Sequence, residues 1–252
     1  MRQLLPEMGE MSLDELAAQM MIVQRPHRGW HVRSNMISTI DGAVRGPSGT
    51  SVDISNDTDR AMLGMLRGIS DAVIVGSRNA LAQPYLPLPA KPRWQSLRSE
   101  HGLAAAPRLV VVTNSGLPAN SPCFQPSDNP TIVITSRRCG ADALSAMRER
   151  AMVIVAGDDS VDFSAALTEL ANLGLWRVLC EGGPSVLSAM SAANALDEMC
   201  VTTAALWSGT AGDAMTATMT TAQHHAVQMR LAHLLTDDDD YLYARWVRAT
   251  AH

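Results

Sequence analysis

The chain has 252 residues, 46% of them hydrophobic and 18% charged, with a net charge of −5. That composition supports a large buried core and excludes disorder for most of the chain, and its acidic balance disfavours sequence-independent binding of DNA. With only five Trp, three Tyr and two Phe, the core must be aliphatic and methionine-rich, and stacking platforms for single strands are missing.

In chain order, Ser12-Leu13-Asp14-Glu15 is a capping box. Leu13, Leu16, Ala17, Met20 and Met21 follow it at helical spacing. Pro26 and Gly29 end that helix, and Trp30 to Ile40 reads as a strand closed by the turn dipeptide Asp41-Gly42. Ser55-Asn56-Asp57 caps a second helix whose apolar face is Met62, Met65, Leu66 and Ile69. Residues 71–76 (DAVIVG) form a short continuous apolar strand. Residues 84–93 hold four prolines and must be irregular.

Strand and helix then alternate. Strands are predicted over 109–113, 131–135, 152–156 and 176–181, with helices over 141–150, over 162–174 and from about Ser185. The tail (199–206, 227–235, 241–247) reads as three strands with no helix between them, hence antiparallel. The expected architecture is α/β, three layers α/β/α, with a mixed sheet of about nine strands. Asp237 to Asp240 reads as a solvated hairpin turn. Cys123, Cys139, Cys180 and Cys200 are widely spaced, without a C-x-x-C pair. They read as reduced, buried thiols of a cytoplasmic protein. The His224-His225 pair has no cysteine near it, so no metal site is expected. No apolar run reaches the roughly eighteen residues of a membrane span, and the acidic N-terminus lacks the order of a signal peptide.

Chemistry concentrates at three strand exits. Residues 178–187 (VLCEGGPSVL) run from a buried strand through Glu181, Gly182 and Gly183 into a helix start with Pro184 in its first turn. Paired glycines allow close approach of backbone to phosphate, and a helix N-terminus offers unpaired N–H groups. A tight turn without a ligand fits the same residues. The other exits are Ser38-Thr39-Ile40-Asp41-Gly42, followed by Gly49-Thr50-Ser51, and Val75-Gly76-Ser77-Arg78-Asn79. Three small, polar exits at one sheet edge describe a cleft for a phosphate-bearing ligand.

On these residues the chain resembles the riboflavin-biosynthesis pyrimidine reductases, the reductase half of the bifunctional pyrimidine deaminase/reductase, with its dihydrofolate-reductase-like fold. Residues 181–187 (EGGPSVL) with 196–204 (LDEMCVTTA) are similar to the family's E-G-G-P-T-L…L-V-D-E-L…L-T-x-A-P. Residues 38–42 are similar to its S-L-D-G, and residues 71–76 to its A-D-A-V-L-V-G. Thr236-Asp237-Asp238 with Tyr241-Leu242-Tyr243 is similar to the ending of stand-alone members. The resemblance spans about 30–247. It implies an N-terminal helical extension over 1–29 and a reductase-like domain over 30–252, assembled as a homodimer.

The resemblance further implies NADPH as hydride donor and 5-amino-6-(5-phosphoribosylamino)uracil as substrate. It places cofactor contacts on Ser38, Asp53, Asn79, Thr113, Thr135, Gly182, Gly183 and Ser185. Ser51 and Arg67 fall where the substrate's ribose and phosphate are held, and Glu181 where the pyrimidine and the chemistry meet. The chain departs from the family pattern after residue 79. Gln83 stands where a carboxylate is usual, the expected phosphate-binding arginine has no counterpart, and Lys91 or Arg93 is the candidate replacement. Asp53 is an awkward neighbour for cofactor phosphates. With no H-x-E or P-C-x-x-C zinc motif, a deaminase reading is excluded. Two other readings stand beside the favoured one: a reductase of the same fold acting on a pterin or dihydrofolate, and a non-catalytic nucleotide-binding dimer.

Overall fold

The computed structural model describes residues 1–22, 24–83, 85–209, 215 and 226–249. Pro84 and the His224-His225 pair lie outside them. Among the described residues, eleven strands form one sheet. Nine are those read from the sequence: β3 (His31–Thr39), β4 (Ala72–Gly76), β5 (Arg108–Val112), β6 (Ile132–Thr135), β7 (Met152–Val155), β8 (Arg177–Cys180), β9 (Glu198–Ala204), β10 (Met229–Thr236) and β11 (Leu242–Arg248). Two more, β1 (Arg2–Leu5) and β2 (Gly9–Glu10), extend it at the N-terminus, so the count of nine is corrected to eleven. Residues 1–29 therefore contribute strands as well as the helix α1 (Leu13–Met20). Strand β1 is four residues long and only Gln3 is fully buried, too little for an alternating signal.

The order is β2-β1-β10-β11-β9-β3-β8-β4-β5-β6-β7. From β9 to β7 all neighbours are parallel; β11, β10, β1 and β2 add antiparallel strands to the β9 edge. The tail strands pair antiparallel to each other, as expected, while β9 also pairs parallel with β3. Helices cover both faces. One core joins Leu16 and Met20 of α1 with Met65 and Leu66 of α2 (Asp57–Gly68) and with Val73, Val75, Leu109 and Val111 of the sheet. The other joins Ala72, Ile74, Val110 and Ile132 with Phe163, Leu167 and Leu170 of α6 (Phe163–Asn172) and with Leu187 and Met190 of α7 (Pro184–Ala192). Alternate residues of one strand thus feed opposite cores, which is why β4 reads as a continuous apolar run. The remaining helices are α3 (Ser77–Ala82), α4 (Gln95–Glu100) and α5 (Ala141–Arg148). The first two, six residues each, are too short to show helical periodicity and were not expected.

Capping explains where the longer helices begin. Ser12 accepts from the Glu15 amide while Glu15 binds back to the Ser12 amide, Asn56 caps α2 through the Asp59 amide, and Asp162 caps α6. The aspartate run is a hairpin turn between β10 and β11. Within it, Asp237 accepts bonds from Asn56 Nδ2 at 2.8 Å, Tyr243 Oη at 2.6 Å and two turn amides.

The antiparallel side holds a buried charge cluster. Glu198 at the start of β9 accepts from Arg33 Nε at 2.7 Å and from Arg245 Nε and Nη2 at 2.9 and 2.6 Å, with His31 Nε2 at 3.3 Å. Burial opposes the charge of this carboxyl. The adjacent Arg33, with Arg245 and the nearby His31, outweighs burial and holds the group well below the usual glutamate range.

The chain runs outward from β4 through β5 and β6 to β7, returns to place β8 between β3 and β4, then crosses to β9 on the other flank of β3. The direction of winding reverses at β3, β8 and β4. In open α/β sheets the crevice beyond the carboxyl ends of such strands is the ligand site.

Candidate active site

A cavity of about 570 Å³ opens at that reversal, within the size range of ligand sites. Its walls come from β3 (Asn35, Ile37), from the first turn of α3 just past β4 (Arg78, Asn79), from the turn after β8 (Glu181, Gly183), from α2 (Arg67), and from the loop after α3 (Gln83, Tyr85, Leu86).

Local backbone chemistry fixes the β8 exit. The Glu181 amide donates to the Ile74 carbonyl at 2.9 Å and the Gly76 amide to the Gly182 carbonyl at 2.8 Å, so β8 stays stitched to β4 as it turns. A Cβ on Gly183 would lie 2.7 Å from Asn79 Oδ1, so any side chain there would push Asn79 aside, and Gly182 has φ +79°. Gly183 caps α7 without a side-chain bond and Pro184 occupies the first turn, which leaves the helix N-terminus to its own amides.

Glu181 sits at the cavity wall with a side chain 5% exposed. Arg67, the penultimate residue of α2, meets it with both arms of its fork: Nε to Oε1 at 2.6 Å and Nη2 to Oε2 at 2.7 Å. Tyr85 Oη donates to the same Oε2 at 2.8 Å, and its ring lies 5.8 Å from the Arg67 guanidinium carbon. Burial works against the charge of Arg67, but Glu181 outweighs it and moves the group further up. Burial, then the charge of Glu181, pushes the Tyr85 phenol well above its usual value, so it stays protonated and donates.

Among the residues expected from sequence, Ser51, Arg67, Asn79, Glu181 and Gly183 come together around this cavity. Gly182 and Ser185 flank it on the same strand-to-helix turn, with Ser185 exposed. Ser38 is buried within β3, opposite Thr203. Asp53 turns onto its own loop, accepting the Ser48 amide at 2.7 Å. Its carboxylate is thus already engaged in a turn. Thr113 bonds the Gly116 carbonyl at 2.9 Å, and Thr135 is fully buried with no partner for its hydroxyl among the described residues. Gln83 lines the cavity. Lys91 and Arg93 do not. Arg93 pairs at the surface with Asp14 and lies over Trp94, and the cavity's other cations are Arg45, Arg60 and Arg78. Arg60 is held by Asp57 and the Ser55 carbonyl, whereas Arg78 has no ion-pair partner among the described residues. Asp41 organises its turn, bonded to Thr39 Oγ1 and the Ser208 and Gly209 amides. The sequence reading passed over Tyr85; its signal was an aromatic residue in a proline-rich loop just after a site exit.

A parallel sheet with antiparallel additions, and a ligand-sized cleft at its reversal walled by a strand–Glu–Gly–Gly–helix turn, define an α/β/α protein with its candidate site at the strand ends. The chain belongs to the RibD C-terminal domain family, whose model matches residues 30–243. It is 27% identical over 170 residues to a 2,5-diamino-6-ribosylamino-4(3H)-pyrimidinone 5′-phosphate reductase of Archaeoglobus fulgidus, a match covering 67% of this chain and 77% of that protein. It is 31% identical over 157 residues to the riboflavin biosynthesis protein RibD of Chlamydia trachomatis, covering 60% of this chain and 40% of that one. Among solved structures, a pyrimidine reductase-like protein of Corynebacterium diphtheriae superposes with a TM-score of 0.83 at 21% identity, covering 96% of this chain and all of that one. The family is one of oxidoreductases of riboflavin biosynthesis, and the dihydrofolate-reductase-like fold expected from sequence is the fold found.

Proposed function

We propose that this protein reduces the ribosyl group of 5-amino-6-(5-phosphoribosylamino)uracil, or of its 2,5-diaminopyrimidinone counterpart, to a ribityl chain, with NADPH as the hydride donor. The observation that carries the reading is the Arg67–Glu181 pair, set at the winding reversal of a chain from the reductase family. When bound, the reduced nicotinamide supplies a hydride to C1′ of the sugar. The C1′–O4′ bond breaks and O4′ takes one proton. Glu181 faces the cavity as an acceptor already holding three donors, so it orients an N–H edge of the pyrimidine, and the proton comes from water.

The chain's residues suit the cofactor. The Gly182-Gly183 turn packs directly on Asn79, the first amides of α7 have no side-chain cap, and the buried Thr135 hydroxyl has no hydrogen-bond partner among the described residues. In this reading Asn79, Gly182, Gly183 and Ser185 hold the cofactor, with Ser38, Thr113 and Thr135 behind them. Ser51 holds the ribose, while Arg67 keeps Glu181 in place and keeps its remaining N–H groups for the substrate. The engagement of Asp53 in its own loop removes it from the cofactor phosphates. The protein acts in the cytoplasm as a homodimer in this proposal. No helix among the described residues is long and apolar enough to cross a membrane.

Steady-state oxidation of NADPH with the aminouracil, its diamino counterpart and dihydrofolate tests the proposal, alongside cofactor titration followed by the five tryptophans. Turnover of one of the phosphoribosylaminopyrimidines is expected. Turnover of dihydrofolate alone would overturn the substrate, and failure to bind NADPH would overturn the enzyme reading.

A further inference from the structure

A carboxylate offers about four lone-pair positions. Three of those on Glu181 are filled, two by Arg67 and one by Tyr85. The side chain is 5% exposed and lines the cavity, so what remains for a ligand is room for one donor. We propose that Tyr85 is a positioning residue of the site: by donating to Glu181 Oε2 it fixes the carboxylate plane and leaves it one open acceptor position, which reads a single N–H of the pyrimidine.

Three observations support this role. Tyr85 belongs to the wall of the cavity. Its loop is secured independently of the phenol, by Leu88 in the core and by the Tyr85 amide reaching the Ala80 carbonyl at 3.4 Å. The hydroxyl therefore serves Glu181 and is not needed to hold the loop. In addition, Arg67 alone fixes Glu181 from one side. A second donor from a different element, 18 residues further along the chain, prevents the pair from swinging together as a rigid fork.

The inference rests on the proposed reductase activity. Its test is Tyr85→Phe, which removes one oxygen and keeps the ring. Loss of a hydrogen bond to a charged group predicts a KM for the pyrimidine raised roughly tenfold, with kcat within about twofold, because binding is lost equally in ground and transition state. The NADPH dissociation constant should stay unchanged, and melting temperature should fall by no more than the few degrees that one lost hydrogen bond costs. In a Glu181→Gln background, where the carboxylate is gone, the same substitution should alter pyrimidine affinity, read by calorimetry, less than twofold. An unchanged KM in Tyr85→Phe overturns the proposal. So does a tenfold loss in both backgrounds, which would make Tyr85 independent of Glu181, or a joint fall in melting temperature and cofactor affinity, which would make it structural. A wild-type protein that turns over no phosphoribosylaminopyrimidine overturns the proposed function and this inference with it.

Discussion

Two glutamates in this molecule are equally buried but are held in different ways. Glu181 and Glu198 are equally buried, each with a side chain 5% exposed, and each is gripped by arginine. Around Glu198 the grip closes from all sides: Arg33 is 4% exposed and Arg245 16%, with His31 completing it. Around Glu181 the grip is one-sided. Arg67 is 31% exposed, Tyr85 adds a donor, and the carboxylate still lines a cavity. The difference lies in sheet topology. Glu198 begins a strand flanked on both sides, between β3 and β11; Glu181 stands just past the end of one, at the reversal of winding. A buried ion pair is thus a clue to function only where its geometry leaves part of it open.

The comparison breaks most forcefully at Glu198. Glu198→Ala strands Arg33 and Arg245 without their anion, and breaking a buried pair in this way costs about 3–5 kcal/mol, to be read from urea unfolding. Loss under about 1 kcal/mol would show that the cluster is not a structural clamp. Arg67→Lys tests the other side. It keeps the charge but loses the fork, so kcat/KM for the pyrimidine should fall on the order of tenfold to a hundredfold, while unfolding free energy falls by less than in Glu198→Ala, because the pair of charges is kept.

Acid sharpens the contrast. The folded pKa of Glu198 lies below its unfolded value of about 4.3. Its contribution is therefore complete above about pH 5 and is lost as pH falls through the ordinary glutamate range toward the folded value. Wild-type stability measured from pH 6 downward should decline more steeply than that of Glu198→Gln; parallel curves would deny the pairing. The thiols bear on burial alone. Burial pushes Cys123 and Cys200 up to about 11 and Cys180 up to about 12. At pH 8 none of the three should react with a disulfide reagent until the chain is unfolded, and rapid reaction of any one would contradict the packing. The smallest effect belongs to Arg93→Ala. Its surface pair with Asp14 should be worth less than about 1 kcal/mol, and activity should not move.

Much of this was legible in sequence for identifiable reasons. Continuous apolar runs such as 72–76 are long enough to declare buried strands, and the capping box at Ser12 marks a helix start by itself. Glu181-Gly-Gly-Pro-Ser compresses a strand end, a close approach and a helix start into adjacent residues. Less was visible where structure depends on distant partners. Strands β1 and β2 exist because β10 offers an edge. Arg67 reads alone as a helix-end cation and gains its meaning from a residue 114 positions away. The replacement for the missing arginine was sought in Lys91 and Arg93 because they are near in sequence, but the chain turns away after Pro89 and the cavity draws instead on Arg45, Arg60 and Arg78.

The central claim is that the Glu181 end of the cleft binds the pyrimidine. Calorimetric titration of the phosphoribosylaminopyrimidine into wild type and Glu181→Gln, both saturated with NADP⁺, tests it most directly. The account predicts binding to wild type, affinity weakened roughly a hundredfold in the variant, and equal cofactor affinities for the two proteins. Equal pyrimidine affinity in the two proteins would contradict it.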